Sequence, residues 1–243
     1  MDAARAITLF CLPHAGGAAE AAYARWRPLL APSGIDARPL EPPGRGRRFI
    51  EPAHARMPAL VNDLLATVAP VARSGRRYGF FGHSMGSTVA WALVETLTDL
   101  GLPQPEMLVL SGRNPPDDLR LFEDHSDSDD ATFLRYLQRL GGTPPEFFAS
   151  SELVAMWLPT LRADYALLGQ YRPVQPIRPL DIDLLFLYGE DDDRVDPEGV
   201  AGWARYTRGR LIPQAFPGGH FYLQTRAVEV CARIAAHVAA SPV

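Results

Sequence analysis

A serine in a glycine-rich motif is the residue of this chain that most clearly indicates catalytic chemistry. The run Gly82-His83-Ser84-Met85-Gly86 fits the pattern G-x-S-x-G. In that pattern the serine occupies a tight turn from a strand into a helix, and the glycines leave room for the crowded backbone. A strand-like run, Tyr78–Phe81, precedes the motif, and helical spacing begins near Met85. The motif and its flanks therefore predict that Ser84 is a nucleophile.

A serine hydroxyl attacks a carbonyl efficiently only when a base removes its proton, so the chain should also supply a histidine and a carboxylate. His220 is the candidate base, because it follows two glycines in a loop after the strand-like run Leu211–Phe216. His125 lies in an acidic loop and is expected to be exposed, and His237 lies in a helical pattern. We interpret His83, inside the motif, as a structural residue.

Four acidic residues compete for the role of the carboxylate that orients the histidine. They follow the strand-like run Leu184–Tyr188, in the segment Gly189-Glu190-Asp191-Asp192-Asp193. In a G-x-x-D turn the acid three residues after the glycine returns toward the end of the sheet. This spacing favours Asp192, with Asp193 as the alternative.

Negative charge develops on the substrate oxygen when a serine attacks, and backbone N–H groups commonly stabilise it. The residue after the nucleophile, Met85, would supply one donor. The glycine-rich loop Leu12–Ala18 resembles the loops that supply the second donor. We assign this donor to Ala15, with Gly16 as the alternative.

Several elements are needed to position these residues, and the apolar pattern of the chain predicts them. Strand-length apolar runs alternate with segments of helical periodicity, and runs that are apolar at successive positions indicate strands buried on both faces. The pattern predicts an α/β fold with a mainly parallel sheet flanked by helices. The predicted strands are Ile7–Leu12, Ala37–Leu40, Tyr78–Phe81, Met107–Leu110, Leu184–Tyr188 and Leu211–Phe216, and the predicted helices beside them are Met57–Arg73, Met85–Leu100 and Arg226–Ala239.

The alternation stops across residues 115–178, where helical spacing is found without a convincing strand. Asp130–Leu140 and Glu152–Leu168 are the predicted helices. We interpret this insertion as a helical lid over the carboxyl ends of the strands, where ligands bind in such sheets. An ordinary helical layer of the core is the alternative. Five apolar residues of the insertion are candidates for holding a substrate chain: Phe133, Leu137, Met156, Trp157 and Leu161.

Composition and charge exclude several classes of protein. The 243 residues are 47% hydrophobic and 21% charged, which is typical of one globular domain over residues 1–243. A net charge of −4 provides no basic field for nucleic acid.

The cysteines Cys11 and Cys231 are predicted to be buried free thiols. The first apolar stretch is too short for a signal peptide or a membrane span, so we expect a cytoplasmic protein without a membrane partner.

Taken together, the motifs resemble those of type II thioesterases, which act beside polyketide synthases and non-ribosomal peptide synthetases. The resemblance rests on the G-x-S-x-G motif around Ser84 and on six further segments. These are Leu12-Pro13-His14-Ala15-Gly16-Gly17, Pro43 to Arg48, Leu140 to Pro144, Leu158 to Tyr165, Gly189 to Trp203 and Gly218 to Phe221. It implies an α/β-hydrolase fold with a lid and a triad of Ser84, Asp192 and His220.

The same resemblance implies the reaction. Acyl groups would be hydrolysed from the phosphopantetheine arm of an acyl or peptidyl carrier protein, without a metal or other cofactor. A generic small-ester hydrolase or acyltransferase with the same triad is the alternative, and a non-catalytic binding module is a third interpretation. We expect the protein to be a monomer.

Carrier proteins are typically acidic, and this chain is itself net negative, so attraction between the two must be local. Arg45, Arg47 and Arg48 form the densest cationic cluster of the sequence. Arginine binds phosphodiesters and carboxylates in a bidentate manner. These three residues are therefore the candidate docking site for a carrier.

Overall fold

A six-stranded parallel sheet forms the centre of the molecule. The computed structural model describes residues 6–143 and 145–240. The strands lie in the order β2-β1-β3-β4-β5-β6, and each pairs in parallel with its neighbours. Their bounds are β1 Ile7–Leu12, β2 Ile35–Pro39, β3 Tyr78–His83, β4 Met107–Ser111, β5 Leu184–Gly189 and β6 Leu211–Phe216. The predicted α/β class and parallel sheet are confirmed.

The central strands form where the sequence is apolar at successive positions. Every residue of β1, β3 and β4 is buried, because helices cover both faces of the sheet. In the parallel register Phe10 of β1 lies beside Phe80 of β3, and Phe80 lies beside Leu108 of β4. Since all strands run the same way, the loops that follow them meet at one edge of the sheet.

Helices cover the two faces of the sheet and form a separate layer above its carboxyl edge. Two large apolar clusters, one on each face, contain residues of α3 and α4 on one side and of α2 and α9 on the other. The helices are α1 Ala19–Ala22, α2 Trp26–Leu30, α3 Met57–Arg73, α4 Met85–Asp99, α5 Asp130–Leu140, α6 Pro145–Phe148, α7 Ser151–Gln170, α8 Pro197–Gly202 and α9 Ala227–Ala240, with short 3₁₀ helices at Ala31–Ser33, Gly46–Arg48, Trp203–Tyr206 and Tyr222–Gln224.

Residues 112–183, between β4 and β5, form a segment that we call the helical insertion. It contains the helices α5, α6 and α7. Asp129 caps α5, since its Oδ1 accepts a hydrogen bond 2.9 Å long from the N–H of Thr132. The insertion has its own small apolar cluster, which contains Phe133 and Leu161. The last turns of α7 differ, because Leu167 and Leu168 belong to the main core. The insertion is thus partly a separate layer and partly anchored to the sheet.

Among the helices of the described residues, none combines the length and the apolar character that crossing a membrane requires. The two cysteines, Cys11 and Cys231, are buried and free, as predicted. Burial raises the pKa of both thiols.

Candidate active site

Ser84 occupies a strained turn between β3 and α4. Its backbone has φ 54° and ψ −115°, a left-handed conformation that costs a non-glycine residue on the order of 1–3 kcal/mol. Both flanking glycines are required: a Cβ on Gly82 would lie 2.2 Å from the carbonyl oxygen of Gly86, and a Cβ on Gly86 would lie 2.3 Å from that of Leu12. The G-x-S-x-G spacing therefore folds into the tight turn that presents the serine hydroxyl.

His220 lies between Ser84 and an aspartate. Its Nε2 is 3.0 Å from Ser84 Oγ, and its Nδ1 is 2.9 Å from Asp192 Oδ2 and 3.1 Å from Oδ1. His220 and Asp192 are both buried. With the proton on Nδ1, the ring donates to the carboxylate and Nε2 accepts from the serine hydroxyl. This arrangement can remove the serine proton during attack on a carbonyl carbon.

The structure distinguishes between the two aspartates that the sequence left open. Asp192 returns toward the sheet in a turn in which its N–H donates to the carbonyl of Gly189 over 3.2 Å. Asp193 points outward, with its side chain 80% exposed and its Oδ1 3.2 Å from Arg194 Nε. Only Asp192 therefore contacts the candidate base.

Two backbone N–H groups beside Ser84 are available to stabilise a negatively charged oxygen. Ala15, in the loop after β1, lines the same cavity as Ser84, and Met85 begins α4. Within the described chain, neither N–H donates to another protein group. The N–H of Gly16, the alternative donor, is already engaged, since it donates to Asp164 Oδ2 over 2.7 Å. The geometry favours Ala15 and Met85 as the pair.

A buried ion pair holds the loop that carries Ala15. Arg45 donates to Asp164 through Nη1 over 2.6 Å and through Nη2 over 2.8 Å, and these side chains are only 4% and 1% exposed. Asp164 also accepts the hydrogen bond from Gly16, so α7 is connected directly to this loop. The prediction that Arg45 docks a carrier is therefore wrong, because its guanidinium is enclosed by the protein.

We expect Asp164→Ala to lower the free energy of unfolding by about 3–5 kcal/mol, because it leaves the Arg45 charge buried without a partner. Urea unfolding followed by circular dichroism measures this loss. Asp63→Ala is the matched control: Asp63 pairs with the partly exposed Arg48, so its removal should cost about 1 kcal/mol. Equal losses in the two variants would contradict the special role of the buried pair.

A small cavity of about 40 Å³ adjoins Ser84 and His220. Its wall combines aromatic, aliphatic and charged side chains, which come from the loops after β1, β3, β4, β5 and β6 and from the helical insertion. Besides Ala15, Ser84 and His220, the lining residues are Gly112, Arg113, Asn114, Asp118, Leu121, Phe122, Tyr136, Leu140, Tyr165, Leu168 and Arg194.

The five insertion residues predicted to hold a substrate do not line this cavity. Phe133 and Leu137 face the interior of the insertion, where they pack with other residues of α5 and α7. Met156 is exposed at the surface. Trp157 donates from Nε1 to the carbonyl of Gly16 over 3.1 Å, and Leu161 also packs against the Gly16 position.

None of the five therefore lines the cavity beside Ser84, which differs from the prediction. Trp157 and Leu161 support the loop that carries Ala15, and Phe133 and Leu137 hold the insertion together. The cavity is lined instead by Tyr136 and Tyr165, whose hydroxyl oxygens lie 3.2 Å apart.

The other two arginines of the predicted docking cluster lie nearer the surface. Arg48 is bound to two carboxylates, with Nη1 2.6 Å from Asp63 Oδ2 and Nη2 2.5 Å from Glu51 Oε2. The side chain of Arg47 is 64% exposed, and its Nη1 lies 3.0 Å from Oε1 of the exposed Glu20. Of the three, Arg47 is the most accessible to a partner.

His83 lies behind the candidate base. It is buried, its Nδ1 is 2.9 Å from Ser111 Oγ, and its ring centroid is 5.0 Å from that of His220. Burial lowers the pKa of His83, and the neighbouring His220 and His14 lower it further. A neutral ring packed against His220 agrees with the structural interpretation of this residue.

The parallel sheet, the strained serine turn and the hydrogen-bonded serine, histidine and aspartate define an α/β hydrolase of the serine type. Comparison with known proteins narrows the class, since the family model described as "Thioesterase domain" matches residues 7–238. The chain belongs to this thioesterase family. It is a hydrolase that acts on thioesters.

Similar proteins include thioesterases named for biosynthetic pathways. Thioesterase PikA5 of Streptomyces venezuelae is 36% identical over 235 residues, which are 96% of this chain and 81% of that protein. The crystal structure of ClbQ from the colibactin NRPS/PKS pathway has a TM-score of 0.88 and 32% identity, covering 96% of this chain and 97% of ClbQ. The type II thioesterase BorB from the borrelidin biosynthetic cluster has a TM-score of 0.83 and 34% identity, covering 96% and 93%.

Proposed function

We propose that this chain is an editing type II thioesterase that hydrolyses acyl groups from the phosphopantetheine arm of acyl or peptidyl carrier domains. The observation that carries the proposal is the Ser84–His220–Asp192 arrangement, with 3.0 Å between Ser84 Oγ and His220 Nε2. It is found in a chain that aligns over 96% of its length with a solved type II thioesterase. Both features are needed, because the fold alone supports many activities.

The reaction has two halves. Ser84 Oγ attacks the thioester carbonyl carbon while its proton moves to His220 Nε2. The carbon–sulfur bond then breaks, and the proton passes from Nε2 to the departing pantetheine sulfur. Water next attacks the resulting ester and gives a proton to Nε2, and the bond to Oγ breaks as Oγ regains a proton. The products are the free acid and the carrier with its thiol restored.

Each neighbouring group has a separate task in these steps. The N–H groups of Ala15 and Met85 stabilise the oxyanion in both tetrahedral intermediates. Asp192 holds His220 in the orientation that accepts the serine proton, and it stabilises the imidazolium that forms.

A substrate panel separates this proposal from a generic esterase or acyltransferase. We expect kcat/KM for a short acyl group to be highest on a carrier protein, lower on coenzyme A and lowest as a p-nitrophenyl ester. A preference for the p-nitrophenyl ester would favour the generic esterase. Transfer of the acyl group to an added alcohol or amine in place of water would favour the acyltransferase.

We also propose that the helical insertion acts as a lid that controls access to Ser84. Support comes from its separate apolar cluster and from Tyr136, Leu140 and Tyr165, which it contributes to the cavity. Amide hydrogen exchange should show weaker protection in α5 and α6 than in β3. Protection should rise when Ser84 carries a slowly hydrolysed acyl group. Strong protection that does not respond to the acyl group would indicate an ordinary core layer.

Arg47 remains the candidate contact for an acidic carrier. Its exposed ion pair with Glu20 contributes little to stability, so a partner can replace it at small cost. Arg47→Glu should lower kcat/KM for an acyl-carrier substrate by about 3-fold at low salt. It should leave kcat/KM for the same acyl group on coenzyme A unchanged. Arg208→Glu, in an exposed pair near the opposite end of the sheet, is the control. Equal losses on both substrates would contradict a docking role.

A further inference from the structure

Two hydrogen bonds in series connect Trp157 of α7 to the backbone of Ala15. The indole Nε1–H of Trp157 donates to the carbonyl of Gly16 over 3.1 Å. That carbonyl shares a peptide group with the N–H of Gly17, which donates to the carbonyl of His14 over 3.0 Å. The carbonyl of His14 in turn shares a peptide group with the N–H of Ala15. The side chain of Trp157 is therefore linked to the candidate oxyanion donor through two peptide groups.

This hydrogen-bond series fixes the direction in which the Ala15 N–H points. A peptide group is planar, so a bond that holds its carbonyl oxygen also orients its N–H. Trp157 orients the first peptide group through the Gly16 carbonyl, and the first group orients the second through the bond from Gly17 to His14. An oxyanion donor must point at the developing charge before the reaction begins, so its orientation affects the rate.

The series also runs in the direction that strengthens Ala15 as a donor. A carbonyl that accepts a hydrogen bond polarises the N–H of its own peptide group, and successive bonds strengthen one another by about 10–30% each. Trp157 is the first donor of the series. The N–H of Ala15 is the last, and no group in the described part of the chain accepts from it. The series therefore ends at the position that a substrate oxygen would occupy.

A second contact from α7 holds the peptide group between these two. The N–H of Gly16, which shares a peptide group with the carbonyl of Ala15, donates to Asp164 Oδ2 over 2.7 Å. Asp164 is itself held by the buried Arg45. Both backbone groups of Gly16 are thus bound by α7. Of the two side chains that bind them, Trp157 is the one that can be changed without leaving a buried charge unpaired.

Trp157 is in turn packed against α6. The ring centroids of Phe147 and Trp157 lie 4.7 Å apart, with an angle of 74° between the ring planes, which is an edge-to-face contact. Both residues belong to the helical insertion. Displacement of α6 and the first turns of α7 would therefore withdraw the indole N–H from Gly16 and release the peptide groups that orient Ala15.

We propose that Trp157 is a positioning residue for the oxyanion donor Ala15, so that this donor is fully oriented only while α7 is docked on the loop after β1. Docking of the helical insertion would then complete the oxyanion site as well as cover it. This inference rests on the proposed thioesterase function, and it assigns part of the rate to a residue outside the cavity beside Ser84.

Trp157→Phe tests the proposal, because it removes the indole N–H and keeps an aromatic ring beside Phe147. Two probes separate oxyanion binding from ordinary binding. Ser84 Oγ adds to the carbonyl carbon of an alkyl trifluoromethyl ketone, its proton moves to His220 Nε2, and the ketone oxygen becomes an oxyanion. The Ki of this ketone therefore measures oxyanion stabilisation. S-Butyl-coenzyme A is a thioether without a carbonyl, so its Kd measures binding without an oxyanion.

In Trp157→Phe we expect kcat/KM for butyryl-coenzyme A to fall by about 3–10-fold, as for the loss of one hydrogen bond. The Ki of the trifluoromethyl ketone should rise by the same factor. The Kd of S-butyl-coenzyme A should change by less than about 2-fold, because the lost interaction acts on the transition state. A purely structural role for Trp157 would weaken both probes alike.

Trp203→Phe is the matched control. Trp203 is buried, and its Nε1–H donates to the carbonyl of Arg113 over 2.9 Å, in a loop that carries neither proposed oxyanion donor. This variant should lower the Tm and leave the ratio of the two probe affinities unchanged. An unchanged ratio in Trp157→Phe would overturn the proposal, as would an equal change of the ratio in both variants.

A spectroscopic measurement on the wild type covers the case in which Trp157→Phe does not fold. The chain has four tryptophans, so nitrogen-15 labelling gives a small set of indole N–H signals. Formation of the trifluoromethyl ketone adduct should strengthen the whole series and move the indole proton of Trp157 downfield. S-Butyl-coenzyme A should leave that signal in place. An indole signal that does not respond to the adduct would overturn the proposal.

Failure of this inference is distinguishable from failure of the proposed function. If the wild type does not hydrolyse butyryl or any other acyl thioester, the proposed function fails, whereas the ketone adduct on Ser84 still decides the role of Trp157. If butyryl-coenzyme A is hydrolysed and Trp157→Phe leaves the ratio of probe affinities unchanged, only the positioning role fails.

Discussion

Ser84→Ala should lower kcat/KM for an acyl thioester by about 10⁴–10⁶-fold, and His220→Ala should do the same, because nucleophile and base act as one unit. The double variant should be little worse than either single variant, for the same reason. Steady-state release of the pantetheine thiol measures the loss. The change replaces the Ser84 hydroxyl with a hydrogen atom and keeps Cβ, so the variant should retain its fold by circular dichroism.

Two results would contradict this role. Activity within tenfold of the wild type in Ser84→Ala would mean that another group attacks the thioester. A large loss in Ser84→Ala with almost none in His220→Ala would leave Ser84 as the nucleophile and require a different base. Ser87→Ala is a suitable comparison, since Ser87 lies one helical turn away and its hydroxyl donates to the carbonyl of Gly82.

Asp192→Asn should lower kcat/KM by about 10²–10⁴-fold, because an amide in place of the carboxylate favours the wrong tautomer of His220 and no longer stabilises its protonated form. Asp193→Asn is the matched control: the same change one residue along affects an exposed side chain that contacts Arg194. Its effect should be less than about 3-fold. The kinetic assay that measures Ser84→Ala also measures both variants, and the reverse ranking would assign the acid to Asp193.

The elements of the fold could be predicted because each apolar run is bounded by residues that end it. Ile7–Leu12, Leu211–Phe216 and Met57–Arg73 have the predicted bounds, and the ends of the other main elements shift by a few residues at most. The turn at Ser84 could be predicted equally well, because the spacing of its glycines is local and sterically required. Local patterns of this kind depend on neighbours along the chain, which the sequence displays directly.

Contacts between distant elements could not be predicted in this way. Arg45 and Asp164 are 119 positions apart, and nothing in the spacing of either shows that they pair inside the protein. Arg45 therefore resembled a surface cation. For the insertion, helical periodicity correctly placed Phe133 and Leu137 on one apolar face. It could not show that this face packs against α7 rather than toward the cavity.

The surroundings of Arg113 could not be predicted from the sequence either. It follows a predicted strand, where many polar residues are simply loop residues, and no motif singles it out. Its distinctive property is the lack of a carboxylate partner among the described residues, which is visible only when the surrounding side chains are placed. Unbalanced charge is a property of the assembled site rather than of any segment.

Labelling with a fluorophosphonate tests most directly the central claim that His220 activates Ser84. The reagent reacts with activated serine hydroxyls, and peptide mass spectrometry locates the adduct. We expect one adduct per chain, on Ser84, with competition by an acyl thioester and a labelling rate at least about 10³-fold lower in His220→Ala. Labelling of a different serine, or equal rates in the wild type and His220→Ala, would contradict the account.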